Sequence, residues 1–400
     1  MTNFMTNKQI DYQNYTLQVR LYPTKEQIVY LNKAFGSTRF VYNYFLNKSQ
    51  EEYKNKKKCF NCIEQERELT KLIKTDEYIW LKEVDSQCLK SSLKHLDKAY
   101  KNFYKAIKEK KQYTFRFRFK SKHTHKDSFT SQCINNNCKI DFETRKIKIP
   151  KLKTWIKFRD DRIIDYNSLQ SITVKRTPSG NFYASILFRI PKQIANYQVD
   201  INNSVGLDFG LKNFITTSKG EKIYSPQPLK KNIKKLAKLS KQHSKKKANS
   251  KNKEKARIRL AKCQEKIANI RKYWNHCLSK RLSDNYDFVF IEDLNISAMQ
   301  KLWGRKISDI AWYQFTTFLN YKMINKGKYC LKIDRYFPSS KTCNHCGYKK
   351  EDLSLSDRSW ICPNCGDVHD RDLNAAKNIL KEGLKHFSTD VQSGFQACGD

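Results

Sequence analysis

Four cysteines towards the carboxyl end of the chain have the spacing of a metal site. Cys343 and Cys346 form one Cys-x-x-Cys pair, Cys362 and Cys365 form another, and fifteen residues lie between the pairs. A glycine directly follows each pair, and glycine readily adopts the positive φ of a tight turn that aims two sulfurs at one ion. The pattern predicts a structural Zn²⁺ held by four thiolates rather than four unrelated buried cysteines. Such a closed site has no open coordination position, so any catalysis must occur elsewhere.

Three acidic residues could supply that catalysis. Asp208 alternates with two glycines in the strand-like VGLDFG, Glu292 ends the apolar run DFVFIE, and Asp372 begins the helical segment DLNAAKNIL. Carboxylate oxygens can hold two divalent cations about 3.5 to 4 Å apart, the arrangement that hydrolyses phosphodiesters. The order of these elements is that of an RNase H-like nuclease: first a strand with an acid, then a strand that ends in an acid, and finally a helix that begins with one. The simpler alternatives are a surface carboxylate for Asp208 and a helix N-cap for Asp372.

The glycines around Asp208 leave its face of the strand without other side chains. Read with a period of two, Gly206, Asp208 and Gly210 share one face, and Val205 and Leu207 share the other. Because glycines weaken a strand, we expect them to serve a purpose here. The purpose we predict is close approach of metal ions and a phosphate.

The elements that position these residues begin with the strand-like YTLQVRLY. A capping box of Thr24 and Gln27 predicts a helix that ends at Gly36, and a second amphipathic helix follows around residues 40–50. Its polar face fits either a plain helical hairpin or contact with nucleic acid. Apolar residues at helical spacing predict another helix over residues 86–110.

A period of two then predicts strands at TFRFRFKSK, KIKIPKL, SITVKRT and NFYASILFRI. In the first of these, Phe115, Phe117 and Phe119 would share a buried face, and the intervening basic residues would face phosphates or solvent. Ser179 and Gly180 mark a hairpin turn. The first strand of the chain could join this sheet across the helical insertion.

The second half of the chain alternates helices and strands. Residues 229–281 predict two lysine-rich helices joined at HSKKKANSKNK, and their charge density favours a nucleic-acid backbone over a merely solvated face. The strand that ends at Glu292 is apolar on both faces, as a covered central strand should be. A helix is predicted over residues 308–325, ending at Gly327. On the final helix, small side chains would allow close packing on a sheet: Ala375 and Ala376, beside Ile379.

The overall charge points to a polyanionic partner. The formal net charge is +40, from 79 basic and 39 acidic side chains. Lysine-rich usage in an AT-rich genome could supply part of this excess. Thirteen cysteines and no apolar segment after Met1 suggest a reducing cytoplasm, and no apolar run has the length of a membrane span. Cys59 and Cys62 form another Cys-x-x-Cys without a matching pair nearby, so metal binding there is left open.

Several motifs together resemble the TnpB family of transposon-encoded proteins, relatives of the type V CRISPR effectors. They are GLDFG, FIEDLNI, YFPSSKTCNHCG, CPNCG and DRDLNAAKNI in the second half, and RLYPTKEQ, STRFVYNYF and LKHLDKAYKNFYK in the first. The resemblance covers nearly the whole chain. TFRFRFKSK departs from it, because family members often have a glycine and a proline before the arginine. Residues 86–90 vary among members and help to choose the adjacent DNA motif, so that specificity does not transfer.

The resemblance implies an α+β multidomain fold, with an N-terminal β-barrel (wedge) that carries a helical insertion, then an RNase H-like (RuvC) α/β nuclease domain with an inserted four-cysteine zinc ribbon. The implied domains are the first wedge strand (1–22), the helical recognition insertion (23–111), the wedge barrel (112–195), the RuvC-like nuclease (196–342, with the lysine-rich hairpin at 229–281), the zinc ribbon (343–366), the final RuvC helix (367–386) and a flexible tail (387–400).

The resemblance also implies a function, RNA-guided cleavage of DNA next to a short adjacent motif. Asp208, Glu292 and Asp372 match the family's metal-binding acids, which would hold Mg²⁺ or Mn²⁺, and the four ribbon cysteines match its zinc ligands. Asp372 is preferred to Asp370 because the family acid is the one in Asp-x-Asn-Ala-Ala, and Glu292 is likewise preferred to Asp293.

The expected partners are a guide RNA from the transposon end and a double-stranded DNA target, with no membrane. We expect a monomer, with a dimer as the alternative, in the cytoplasm of a bacterial-type cell and associated with the nucleoid. The alternative function is an RNA-guided or direct DNA-binding transcriptional regulator, or an accessory of transposition without cleavage. The presence of all three acids argues against a pure binder, which has no need of clustered like charge.

Overall fold

The chain forms two compact units, Met1–Gln193 and Ile194–Asp400. The computed structural model describes residues 12–56, 61–109, 117–124, 127–191, 199–354 and 356–392. None of the helices in these ranges is long and apolar enough to cross a membrane.

The described part of the first unit is an antiparallel sheet of seven strands with three α-helices. The strands are β1 (Tyr12–Tyr22), β2 (Asp127–Gln132), β3 (Lys139–Asp141), β4 (Lys146–Lys148), β5 (Ile156–Arg159), β6 (Ser168–Arg176) and β7 (Phe182–Pro191), and the helices are α1 (Lys25–Lys56), α2 (Cys62–Leu72) and α3 (Ser86–Lys108). The strand order is β2-β6-β7-β1-β5-β4-β3, so β1 joins the sheet across the helical insertion, as predicted. The predicted hairpin is also confirmed, because Gly180 has a φ of 90° between β6 and β7.

A single helix replaces the two predicted after residue 24. The capping box is confirmed, since the Thr24 amide donates to Gln27 Oε1 (2.9 Å) and the Gln27 amide donates to Thr24 Oγ1 (3.3 Å). Helix α1 then continues through Gly36, so the predicted end there is wrong. An interior glycine costs a helix only about 1 kcal/mol. Burial of Leu31 and Phe45, one on each side of the glycine, outweighs that cost.

The described part of TFRFRFKSK is not a strand. Residues 117–121 have no regular structure, and Phe115 lies outside the described residues. Phe117 packs on Tyr100 of α3, with ring centroids 4.2 Å apart, whereas Phe119 is 53% exposed. The prediction that these phenylalanines share a buried face is therefore wrong for this pair. Phe117 is positioned by its contact with helix α3 and not by alternation along a strand.

The described part of the second unit contains a five-stranded sheet, a small two-stranded sheet and five helices. The strands are β8 (Ser204–Asp208), β9 (Ile215–Thr217), β10 (Lys222–Ile223), β11 (Phe288–Glu292), β12 (Tyr329–Ile333), β13 (Ser359–Ile361) and β14 (Val368–Asp370), and the helices are α4 (Pro228–Ser244), α5 (Lys251–Asn285), α6 (Ile296–Ile310), α7 (Trp312–Asn325) and α8 (Arg371–Gln392). The larger sheet has the order β10-β9-β8-β11-β12, with β8, β11 and β12 parallel and β9 and β10 antiparallel to their neighbours.

Strand β11 is covered on both faces, as its apolar sequence predicts. Val289 and Ile291 belong to the core that includes helices α5 and α7, whereas Phe288 and Phe290 pack with Ile379 of α8. This two-sided burial fixes the middle of the sheet, and Glu292 follows where the buried run ends.

Two helices occupy the stretch in which one was predicted over residues 308–325. Helix α6 ends at Ile310, Ala311 adopts a left-handed φ of 58°, and α7 begins at Trp312. The sequence has no glycine or proline to signal this break. Trp312 is almost completely buried, and this burial offsets the strain at Ala311. The lysine-rich helices α4 and α5, with their turn at residues 245–250, follow the prediction.

Helix α8 packs directly on β8 at Gly206. A Cβ atom on Gly206 would lie 2.2 Å from the Ala376 carbonyl oxygen and 2.7 Å from the Leu380 amide nitrogen. The predicted purpose of this glycine, access for metal and phosphate, is therefore wrong, because the helix backbone fills the space. The prediction of close helix packing is confirmed, since Ala375, Ala376 and Ile379 are all buried.

We expect the substitution Gly206→Ala to force α8 away from the sheet and to destabilise the chain by about 3 kcal/mol or more, the upper range for overpacking. Urea denaturation of the full chain measures this change. The control is Gly304→Ala in α6, where a Cβ would meet nothing within 4 Å. It should stabilise the helix by about 0.5–1 kcal/mol. Equal behaviour of the two variants would contradict the packing described for Gly206.

Candidate active site and metal centre

Asp208 and Glu292 lie side by side at the ends of two parallel strands. Leu207 of β8 pairs with Ile291 of β11, and each acid is the next residue along its strand. Neighbouring strands lie about 4.8 Å apart, which brings the two acids to one edge of the sheet. Asp372 reaches the same edge from the first turn of α8. The structure thus brings together the three acids that the sequence analysis selected.

Asp208 is the electrostatic centre of this group. Burial raises the pKa of the Asp208 carboxyl well above its usual value, and the negative charges of Glu292 and Asp372 raise it further. The Arg371 side chain opposes these effects but does not cancel them. Within the described residues, no hydrogen-bond donor satisfies the Asp208 carboxylate. A cation beside Asp208 would therefore stabilise its ionised form.

The two flanking acids each accept a hydrogen bond. Ser339 Oγ donates to Glu292 Oε1 (2.5 Å), which partly offsets the burial that raises the pKa of Glu292. Asn213 Nδ2 donates to Asp372 Oδ2 (3.1 Å). These donors fix the orientation of both carboxylates. The Arg358 guanidinium lies 3.7 Å from Asp372 Oδ1, and it places one positive charge at the edge of the group.

Asp293, which follows Glu292, has a different role. It pairs with Lys332 Nζ at 2.8 Å and with the Arg335 guanidinium, and the hydrogen bond from Lys332 is the main cause of its lowered pKa. These two cations already neutralise its charge.

Asp370 is engaged in the same way beside Asp372. Its Oδ1 accepts the Leu373 amide (3.0 Å) at the start of α8, and its Oδ2 pairs with Lys222 Nζ (2.7 Å). The capping residue of α8 is therefore Asp370, so the N-cap alternative considered for Asp372 is wrong.

The four cysteines form the predicted cluster. Their sulfur atoms all lie within 4.8 Å of one another, with 3.7 Å from Cys343 to Cys365 and 3.5 Å from Cys346 to Cys362. This cluster could hold a metal ion, and four thiolates are the donor set that Zn²⁺ prefers for a structural site. His369 Nε2 lies 3.0 Å from Cys343 Sγ, where an N–H donor would stabilise a thiolate.

Glycine turns shape the cysteine cluster. Gly347 has a φ of 78° and Gly366 a φ of 74°, and the amide of each donates to the carbonyl of the first cysteine of its pair. Cys59 lies outside the described residues, so the question of metal at Cys59 and Cys62 stays open.

Two asparagines of α8 that the sequence analysis missed connect the helix to the cysteine cluster. Asn374 Oδ1 accepts the Asn344 amide (2.9 Å), and its Nδ2 donates to the Thr342 carbonyl (2.7 Å). Asn378 Nδ2 donates to the carbonyls of Ser339 (2.8 Å) and Thr342 (2.6 Å). Both asparagines are almost fully buried. Their spacing of four residues, which places both asparagines on one face of the helix, was the available signal.

Family models match three parts of the chain. Residues 14–58 match "Helix-turn-helix domain", residues 173–302 match "Probable transposase", and residues 312–379 match "Cas12f1-like, TNB domain". In the first of these ranges, the structure has β1 followed by the uninterrupted helix α1.

Two curated relatives match over almost their full length. A protein of Streptomyces pristinaespiralis named "Putative RNA-guided DNA endonuclease" is 33% identical over 384 residues, which cover 95% of this chain and 90% of the relative. "Putative RNA-guided DNA endonuclease InsQ" of Escherichia coli K12 is 30% identical over 381 residues, covering 91% of each. Among solved structures, a Cas12f1–sgRNA–target DNA complex aligns with 92% of this chain and 99% of its own, at 15% identity and a TM-score of 0.47.

We expect Asp208→Asn to raise the thermal stability of the zinc-loaded protein when no Mg²⁺ or Mn²⁺ is present. Because the folded-state pKa of Asp208 is raised, the folded chain favours the protonated acid, and ionisation at neutral pH costs stability. Each kcal/mol of relieved repulsion should raise Tm by about 2–4 °C. The gain should shrink as pH falls towards about 4, where the unfolded carboxyl also binds its proton.

Calorimetry at several pH values, on zinc-loaded protein in buffer without Mg²⁺ or Mn²⁺, measures this gain, with the exposed Asp352→Asn as the control. An Asp208→Asn variant that is less stable at neutral pH would contradict the electrostatic description.

Purified protein should contain one tightly bound zinc ion per chain, and Cys343→Ser should lose it together with the stability of residues 343–366. Structural zinc binding contributes about 10–16 kcal/mol in isolated zinc peptides, so the loss should be large. Elemental analysis and limited proteolysis measure both effects. The control is Cys277→Ser, an exposed cysteine outside the cluster. Full zinc content in Cys343→Ser would exclude the four-thiolate site.

Proposed function

The chain belongs to the TnpB family, and we propose that it is an RNA-guided DNA endonuclease that hydrolyses DNA next to a short adjacent motif. Relatives at 33% and 30% identity over at least nine-tenths of both chains carry this name. The observation that carries the proposal is the convergence of Asp208, Glu292 and Asp372 at one edge of the second unit's sheet.

We propose an RNase H-like (RuvC) core for the second unit. The sheet order β10-β9-β8-β11-β12 supports it, because the first three strands run as an antiparallel meander and the last two are parallel to β8. Helix α8 covers one face of this sheet, and α5 and α7 cover the other. The first unit's sheet, with its inserted helices, would correspond to the wedge barrel and the recognition insertion.

Asp208, Glu292 and Asp372 would hold Mg²⁺ or Mn²⁺. When bound, a pair of such ions activates water and stabilises the leaving oxygen. The charges of both flanking acids disfavour the ionised form of Asp208, so its carboxylate would be the ligand that a bound cation stabilises most. Ser339 and Asn213 orient the carboxylates of Glu292 and Asp372 by hydrogen bonds, and these two carboxylates would be the other ligands of the ions.

Asp293 and Asp370 lie within one or two residues of the proposed ligands, yet each is already paired with lysine or arginine. These pairs keep two further negative charges from competing for the ions. The four-cysteine centre would hold Zn²⁺ and would do no chemistry, because its four ligands leave no open position.

Nucleic acid is the partner that the charge of the chain supports. The lysines of α4 are exposed and repeat along the helix, which suits a phosphate backbone. They are Lys230, Lys231, Lys234, Lys235, Lys238 and Lys241. We propose that a guide RNA from the transposon end and a double-stranded DNA target bind this protein, with base pairing reading the sequence. A monomer in the nucleoid is the state that we propose.

A regulator without cleavage is the weaker alternative. Such a protein would need the basic surface but not three convergent acids, one of which, Asp208, has its ionised form disfavoured by burial and by the charges of the other two. The names of the relatives favour the endonuclease.

A plasmid-depletion assay tests the proposal. The protein is expressed with its native downstream flank, whose guide end is reprogrammed, against target plasmids that carry randomised adjacent bases. We expect loss of plasmids with one adjacent motif, and we expect Glu292→Gln to abolish the loss. Asp293→Asn is the matched control, since the neighbouring carboxylate is already paired with Lys332, and it should keep activity.

The outcome also separates the two functions. Repression of a target gene without plasmid loss would favour the regulator. Plasmid loss that persists in Glu292→Gln would refute the assignment of Glu292 as a metal ligand.

A further inference from the structure

The Glu292 carboxylate depends on a residue outside the nuclease sheet. Ser339, which donates to Glu292 Oε1, lies in the segment between β12 and the first cysteine pair and is only 6% exposed. This segment is a tight turn, since the Thr342 amide (3.1 Å) and the Thr342 hydroxyl (2.9 Å) both donate to the Pro338 carbonyl. The donor to Glu292 is therefore part of a fixed loop.

Asn378 of α8 holds this loop in place. Its Nδ2 donates to the carbonyls of Ser339 and Thr342, and it is 3% exposed. A buried amide with several partners specifies one position for the loop, because any displacement leaves polar groups unpaired.

The same amide reaches the cysteine centre. Asn378 Oδ1 accepts a hydrogen bond from Asn344 Nδ2 (3.1 Å), and Asn344 directly follows Cys343. One side chain thus contacts both the loop that orients Glu292 and the loop that carries the first cysteine pair. Because α8 also carries Asp372, this network joins both flanking acids to the cysteine centre.

We propose that Ser339 and Asn378 are positioning residues, which orient the Glu292 carboxylate for a divalent ion and couple it to the four-cysteine centre. The inference rests on the proposed metal site of the endonuclease. A hydrogen bond to one carboxylate oxygen fixes the rotation of the carboxylate, and partners of this kind typically change metal affinity by about 10–100-fold.

Titration of the full-length, zinc-loaded protein with Mn²⁺, followed by electron paramagnetic resonance without nucleic acid, tests the proposal. Ser339→Ala should raise the Kd for Mn²⁺ at the Glu292-dependent site by about 10-fold. Ser339→Thr keeps the hydroxyl and should restore the affinity, which a merely structural loss would not predict. Ser204→Ala is the matched control. Ser204 is also 6% exposed, but it lies at the opposite end of β8, where its hydroxyl donates to the Ile201 carbonyl (2.6 Å).

Asn378→Asp tests the coupling. It keeps the shape and the acceptor for Asn344 but removes the donor to Ser339 and Thr342. Like Ser339→Ala, it should raise the Kd for Mn²⁺. The double variant should have a Kd close to that of the single variant with the higher Kd, because both substitutions act through one hydrogen bond. Independent, multiplicative effects would overturn the coupling, and an unchanged Kd in Ser339→Ala would overturn the positioning role.

Guided cleavage of DNA on the same preparations distinguishes this inference from the proposed function. Saturating Mg²⁺ should restore cleavage in Ser339→Ala but not in Glu292→Gln. Wild-type protein that binds Mn²⁺ through Glu292 but never cleaves would refute the endonuclease and leave the positioning role supported. If Glu292→Gln binds Mn²⁺ with the wild-type Kd, both the positioning role and the proposed metal site of the endonuclease are refuted.

Discussion

The contact between the backbone of α8 and Gly206 is the constraint on which the site depends. No side chain can stand at Gly206, because the Ala376 carbonyl and the Leu380 amide occupy that space. The helix is thereby held against β8 at a distance that only glycine permits. Since Asp208 ends that strand and Asp372 begins that helix, one steric fit sets the relation between two acids that are distant in sequence.

This geometry concentrates negative charge in a place that is largely shielded from water. Burial and two like charges disfavour the ionised form of Asp208, and this lowers the free energy of unfolding at neutral pH. The neighbouring acids Asp293 and Asp370 are each paired with basic side chains, and of these two only Asp370 adds, as a smaller effect than Glu292 and Asp372, to the charge that disfavours ionised Asp208. A site that is destabilised when empty and stabilised by cations is well suited to bind divalent metal ions.

Local signals in the sequence predicted the elements better than they predicted the boundaries and the contacts. The cysteine spacing, the capping box at Thr24 and the two-sided strand before Glu292 each depend on neighbouring residues, and the structure confirms them. The continuity of α1 through Gly36 and the break at Ala311 depend on burial of distant side chains, which periodicity does not reveal. The role of Gly206 could not be predicted either, because its neighbour comes from α8.

The divalent ions themselves can be located directly. Cryo-electron microscopy of the protein with guide RNA and a non-hydrolysable target, combined with anomalous diffraction from Mn²⁺-soaked crystals, would locate them. We expect two ions about 3.5–4 Å apart, with Asp208 bound to both and Glu292 and Asp372 each bound to one. Ions held instead by Asp293 or Asp370, or no ion near Asp208 at saturating Mn²⁺, would exclude a metal site formed by Asp208, Glu292 and Asp372.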